Sequence, residues 1–140
     1  MSTAGSFDAP IEIFSGLVTD MAAFWQECDV AVVASHPPHI ESFGIVAIEA
    51  MASGLPVVAT TNGALPELVA DGRTGTIVPE GDPDALATAL DAYAAHPYLR
   101  VEEGRAGRAD CERWFGIDRC AQSYLELFES LRTGVEQAAA

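Results

Sequence analysis

The sequence predicts an α/β fold, a Rossmann-like parallel sheet with helices on both faces. Three observations carry that prediction. Two short apolar runs rich in β-branched residues, at 30–33 and 56–59, flank a helical stretch at 42–53. That is the strand–helix–strand pattern of a parallel pair. Strand and helix signals then keep alternating, through a run at 76–78 and a helix opening at Asp82-Pro83-Asp84. Finally, residues 30–34 are apolar without a break, as expected of a strand buried on both faces.

Each element follows from its residues. Residues 11–17 alternate and read as a strand that ends at Gly16. Thr19 or Asp20 caps a helix over about residues 21–28, with Phe24 and Trp25 in its apolar set. The strand at 30–34 follows, and Pro37 and Pro38 forbid helix after it. The stretch at 42–53 is apolar nearly all round and is expected to be buried. Gly54 and Pro56 end it. Residues 57–60 form the next strand, and Asn62-Gly63 turns the chain. A short helix over 66–70 starts at Pro66, turns follow at Asp71-Gly72 and Thr74-Gly75, and 76–78 is a last short strand. The helix after Asp82 carries Leu86, Leu90 and Tyr93 on one side and ends before Pro97. A more charged helix spans about 102–114 and breaks at Gly116. The last helix, about 118–132, places Cys120, Tyr124, Leu127 and Leu131 at helical spacing.

Composition bounds the function. The 140 residues fit one domain with a real core. Their net charge of −14, with seven arginines and no lysine, excludes unaided binding to nucleic acid or anionic lipid. Cys28, Cys111 and Cys120 show no metal spacing, and their odd number favours free thiols in a reducing compartment. The opening residues have no basic or long apolar signal region, and no apolar run approaches a membrane span. Together these make the cytoplasm the expected setting.

The chemistry concentrates at the helix over 42–53. Glu49 sits in its apolar middle, and a buried carboxylate needs a donor, from protein or ligand. Glu41 lies just before the first turn, roughly 12 Å away along a helix axis. The amides of Phe43, Gly44 and Ile45 are expected to point outward, and Gly44 lets a ligand approach the backbone. A positive helix end with bare amides suits a phosphate, and two carboxylates on either side suit polyols. Glu41, Gly44 and Gly63 all fall at the carboxyl ends of the strands, where ligands bind in such sheets. Plainer readings stand beside these. Glu41 and Glu67 are also what a first helical turn attracts, and Glu49 also fits a structural carboxylate bonded to a loop amide. Gly44 also fits close packing at a helix start. His36 and His39 look like a metal pair but lack a third ligand nearby and read as loop histidines.

The string Glu41-Ser42-Phe43-Gly44, Glu49-Ala50-Met51-Ala52, Gly54, Pro56-Val57-Val58 resembles the donor-binding signature of retaining glycosyltransferases of the GT-B fold, family 4 type. The likeness continues through 62–69, 71–75 and 79–90, and covers roughly residues 10–130. It implies an incomplete C-terminal domain of a GT-B fold, with residues 1–133 as the partial donor-binding domain and 134–140 as a flexible tail. It implies a nucleotide-diphospho-sugar donor, transfer of a hexosyl group with retention, and neither metal nor other cofactor. On this resemblance Glu41 is the catalytic-site residue that meets the donor sugar. Glu49 binds the ribose, and Phe43, Gly44, Ile45 and Gly63 complete the donor seat.

The chain departs from that family in several ways. The N-terminal domain and the first part of the donor domain, with its arginine and lysine for the diphosphate, have no counterpart here; no arginine precedes Arg73. Ala64 stands where the family often has a second glycine, which puts the left-handed freedom of that loop in question. The expectation is weak donor binding and no transfer by this chain alone, as a truncated product, an excised piece or one subunit of a split enzyme. A partner chain carrying an N-terminal domain, or self-association, would complete it. The alternative is a non-catalytic assembly module that uses an open sheet edge and the last helix. A third reading, a phosphorylase or epimerase relative, is disfavoured where it needs a lysine for pyridoxal phosphate.

Overall fold

The computed structural model describes residues 17–138, with side chains through Arg132. The expected strand at 11–17 lies outside the described residues except for Leu17 itself. The rest is an α/β arrangement built on a three-stranded parallel sheet. The order is β1 (Ala31–Val33), β2 (Val57–Thr60), β3 (Gly75–Val78), with Ala31 opposite Val57 and Val57 opposite Gly75.

Around the sheet run α1 (Met21–Gln26), α2 (Ile45–Ala52), α3 (Leu65–Leu68), α4 (Pro83–Ala95), α5 (Pro97–Trp114) and α6 (Ile117–Ala138). Of the two candidate caps for α1, Asp20 does the work: its Oδ1 accepts the Ala23 N–H at 3.0 Å. Asp82 caps α4 in the same way, through Ala85 at 2.9 Å.

The pleat of β2 divides the core. Val57 and Ala59 join α2, α3 and Trp25 on one side, with Ala47, Ala50, Met51 and Leu65. Val58 faces the other side and meets Val78, Ala89 and Tyr93 of α4. Helices thus cover both faces of the sheet. The long helix α5 leans on α2 so closely that a Cβ at Gly104 would stand 2.0 Å from the Gly54 carbonyl oxygen. Glu103, next along, is buried and accepts a short hydrogen bond from the Tyr93 hydroxyl, which also meets Thr76 Oγ1 at 3.1 Å. Burial is the first cause that pushes the Tyr93 phenol well above its ordinary range, and the Glu103 hydrogen bond is the second.

Several boundaries differ from the sequence reading. β1 is not buried on both faces, since Val32 is 43% exposed toward the α4 side, where no described element covers this edge. α2 begins at Ile45 rather than 42, and it is not enclosed all round. Ala47, Ala50 and Met51 are buried, while Ile45 and Val46 stand open. α5 begins at Pro97, five residues before the expected 102, because proline without an N–H fits the first helical position. α3 starts one residue early, at Leu65. α6 continues past the expected end at 132 to Ala138. Among the described residues no helix is long and apolar enough to cross a membrane.

Candidate functional site

The carboxyl ends of β1 and β2 lead into two loops that lie against each other. The first, residues 34–44, carries Glu41; the second, 61–64, carries Asn62 and Gly63. Glu41 is fixed at every polar atom. Its N–H donates to Asn62 Oδ1 at 2.7 Å, and its carbonyl accepts the Ala64 N–H at 2.9 Å. In the carboxylate, Oε2 accepts the Ser35 hydroxyl at 3.2 Å and Oε1 the Gly44 N–H at 3.1 Å. The side chain remains half-buried, with lone pairs left over for a further donor.

Gly44 explains why α2 starts late. It is the N-cap residue with φ +77°, a left-handed conformation that Cβ-bearing residues rarely adopt. The sequence reading counted the amides of Phe43, Gly44 and Ile45 as free first-turn donors. The Gly44 amide is instead taken by Glu41, and Phe43 lies outside the helix. Ile48 makes the first intrahelical bond, to Gly44 at 3.1 Å. The amides left open are therefore those of Ile45, Val46 and Ala47, which have no acceptor among the described residues and no side-chain cap. The partial positive charge of the helix end collects on these three groups. The exposed side chains of Phe43, Ile45 and Val46 surround them.

Glu49 lies one turn further along α2. It is half-buried rather than enclosed, and its carboxylate has no hydrogen-bond or ion-pair partner among the described residues. A loop amide does not answer it. Three of the arginines pair with other acids: Arg73 with Asp110 at 2.5 Å, Arg100 with Asp29 and Arg108 with Glu112. Arg113 and Arg119 lie 4.6 and 4.7 Å from the Trp114 ring centroid.

Gly63 has φ +54°, and a Cβ there would fall 2.0 Å from the Glu41 carbonyl oxygen. Its missing side chain therefore admits the Glu41 loop. Ala64 is right-handed, with φ −79°, so the methyl costs this turn no left-handed freedom. A cleft of about 530 Å³ opens beside these loops, lined by Glu41, Phe43, Gly63, Ala64, Glu67 and Phe115 among others. Glu67 thus shares a wall with Glu41, from the first turn of α3.

His36 and His39 lie apart from that cleft; His36 Nδ1 stands 2.7 Å from the Pro37 carbonyl oxygen. Among the described residues no group of three acid, histidine or cysteine side chains is placed to hold a metal ion. The cysteines are free thiols; burial pushes Cys111 up to about 11, and its Sγ donates to the Ile48 carbonyl at 3.5 Å. Ser35 and Asn62 are the site residues that sequence reasoning missed. The Asn62-Gly63 pair gave only a turn signal, and a side chain reaching back 21 positions leaves no trace in local spacing.

The family described as glycosyl transferases group 1 matches residues 7–96. The chain is 45% identical over 100 residues to a D-inositol 3-phosphate glycosyltransferase of Streptomyces avermitilis, covering 70% of this chain and 21% of that protein. Among solved structures, a sucrose-phosphate synthase from Thermosynechococcus elongatus superposes with a TM-score of 0.74 at 35% identity, over 81% of this chain and 28% of that one. HepE of Anabaena, in complex with UDP-glucose, gives a TM-score of 0.70 at 27% identity, over 76% of this chain and 29% of that one. The chain thus spans between about a fifth and a third of the length of these proteins.

Proposed function

The chain belongs to the group 1 glycosyl transferases, and we propose that its described residues form part of the seat for a nucleotide-diphosphate-sugar donor. The reaction served is transfer of a hexosyl group, with retention, to an acceptor that these residues do not identify. Glu49 takes the ribose hydroxyls. The amides of Ile45, Val46 and Ala47, with the backbone at Phe43, meet the diphosphate. Glu41 reads the donor sugar beside Gly63.

One observation carries this reading. A half-buried carboxylate without a partner among the described residues, Glu49, lies one turn along α2 from the three unanswered amides at its N-terminal end, at the carboxyl edge of a parallel sheet. A donor with vicinal hydroxyls and a diphosphate answers both at once. The Anabaena relative is known with UDP-glucose, which makes UDP and UDP-glucose the first probes. No arginine lines the cleft beside Glu41, so the diphosphate has only helix amides to meet its charge. Binding in the millimolar range is expected, without metal, and without transfer until a partner chain or a second copy supplies the acceptor wall. The free thiols fit the cytoplasm as the setting.

The test is an NMR titration of the whole chain with UDP, UDP-glucose and free glucose. The reading expects both nucleotides to move the amide signals of residues 44–47 and 49, and glucose to leave them in place. Unmoved signals at millimolar UDP contradict it. A second reading, a non-catalytic assembly module, is favoured by the open face of α6, where Tyr124, Leu127, Phe128 and Leu131 stand exposed. It expects a dimer that survives dilution and ignores UDP; a clean monomer in sedimentation contradicts it.

A further inference from the structure

Resting on the donor-seat reading above, we propose that Asn62 is a positioning residue: it fixes Glu41 where the sugar of the donor is read. Asn62 is buried, at 2% exposure, in the turn between β2 and α3. Its Oδ1 accepts the Glu41 N–H at 2.7 Å, and two residues on, the Ala64 N–H reaches the Glu41 carbonyl at 2.9 Å. One turn therefore holds both polar groups of the Glu41 backbone. Between these two anchors, Gly63 lets the Glu41 carbonyl close to a distance that any Cβ would forbid.

The carboxylate is braced from the same strand end. Thr60 Oγ1 donates to the Ser35 carbonyl at 2.6 Å, and the Ser35 hydroxyl donates to Glu41 Oε2 at 3.2 Å. Thr60, Asn62 and Ala64 thus work as one strut from β2 to a loop that has no secondary structure of its own. Asn62 is needed for its oxygen. A leucine of similar volume fills the space and leaves the Glu41 N–H without its acceptor. An aspartate keeps the acceptor. The strut bonds Glu41 directly and reaches the helix amides only through the Glu41–Gly44 hydrogen bond, so its loss falls first on the sugar and less on the nucleotide.

The experiment is calorimetric titration of the whole chain and of Asn62→Leu, Asn62→Asp and Ser35→Ala with UDP and with UDP-glucose. Wild type is expected to bind UDP-glucose more tightly than UDP. Asn62→Leu weakens UDP-glucose about fivefold and changes UDP less than about twofold. Asn62→Asp restores the preference for UDP-glucose, and Ser35→Ala removes part of it. If Asn62→Leu does not fold, Asn62→Asp and Ser35→Ala still decide the matter. An unchanged preference in Asn62→Leu, or in Ser35→Ala when that variant must decide, overturns the proposal. So does an equal loss of both ligands in a folded variant. A wild type that binds UDP and UDP-glucose alike overturns the positioning role and leaves the nucleotide seat standing. A wild type that binds neither overturns the seat, and this role with it.

Discussion

Glu103 on α5 and Glu49 on α2 are both carboxylates on helices packed against each other, and the protein treats them in opposite ways. Glu103 is buried and receives the Tyr93 hydroxyl, which is itself tied to Thr76 on β3. The Tyr93 hydroxyl of α4, held in turn by β3, closes over that acid. Glu49 is half-buried and receives nothing from the described residues. One turn before it, at the N-terminal end of α2, are three open amides and the exposed side chains of Ile45 and Val46. A fold that supplies a phenol for one acid has the means to answer a second. The contrast teaches that the Glu103 carboxylate is answered within this chain, whereas the Glu49 carboxylate is left for a group that the described residues do not supply. On the reading proposed above, that is the donor.

The contrast can be broken or sharpened by substitution. The largest effect is expected at the joint of the two loops. Gly63→Ala forces a Cβ into the Glu41 carbonyl from a left-handed backbone, and should cost about 3 kcal/mol of stability, read by urea unfolding. A loss below about 1 kcal/mol would show that the Glu41 loop moves freely. Glu103→Leu should cost about 1–3 kcal/mol, because the Tyr93 hydroxyl keeps only Thr76, and UDP binding should stay within about twofold. Glu49→Ala should do the reverse: stability within about 0.5 kcal/mol of wild type, and UDP affinity down about tenfold or more. Equal stability losses at the two glutamates would erase the contrast.

The smallest effect is a pH dependence carried by two buried groups, Cys111 on α5 against α2 and Tyr93 on α4. Cys111 titrates at about 11 against an ordinary 9.0, because burial disfavours the thiolate, with Asp110 adding to it. The folded state therefore holds this proton more tightly than the unfolded state. Its contribution is complete below pH 9 and is lost as pH rises toward 11. Tyr93 has the same sign from its ordinary 10.0 upward. Unfolding free energy should be level from pH 7 to 9 and fall above it, and Cys111→Ala should flatten the first part of that fall. A decline already complete by pH 9 would contradict these assignments.

Much of this was legible in the sequence. The strand at 57–60, the cap at Asp82, a cap at Thr19 or Asp20, and the order of strands and helices follow from local pattern, because burial on two faces and capping are local demands. The start of α2 was not legible. A helix can begin anywhere in an apolar run, and only the left-handed turn at Gly44 decides. Nor was Glu103: in a charged segment it looks like any surface acid. The signal was beside it, in Gly104 and Gly107, whose spacing marks a helix pressed against a neighbour. The open face of β1 escaped because a continuous apolar run shows what a strand is fit for, and Val32 shows what the described chain covers. The helix pattern and the resemblance both singled out Glu41 and Glu49 as candidates. The side chains that hold Glu41, Ser35 and Asn62, follow from tertiary contact alone.

The most direct test compares Glu49→Gln with Glu103→Gln in a UDP titration, each variant first shown to be folded. Both changes keep side-chain size and remove the charge. The account predicts that Glu49→Gln loses UDP affinity about tenfold while Glu103→Gln binds as wild type does. Wild-type affinity in Glu49→Gln, or the same loss in both, would contradict it.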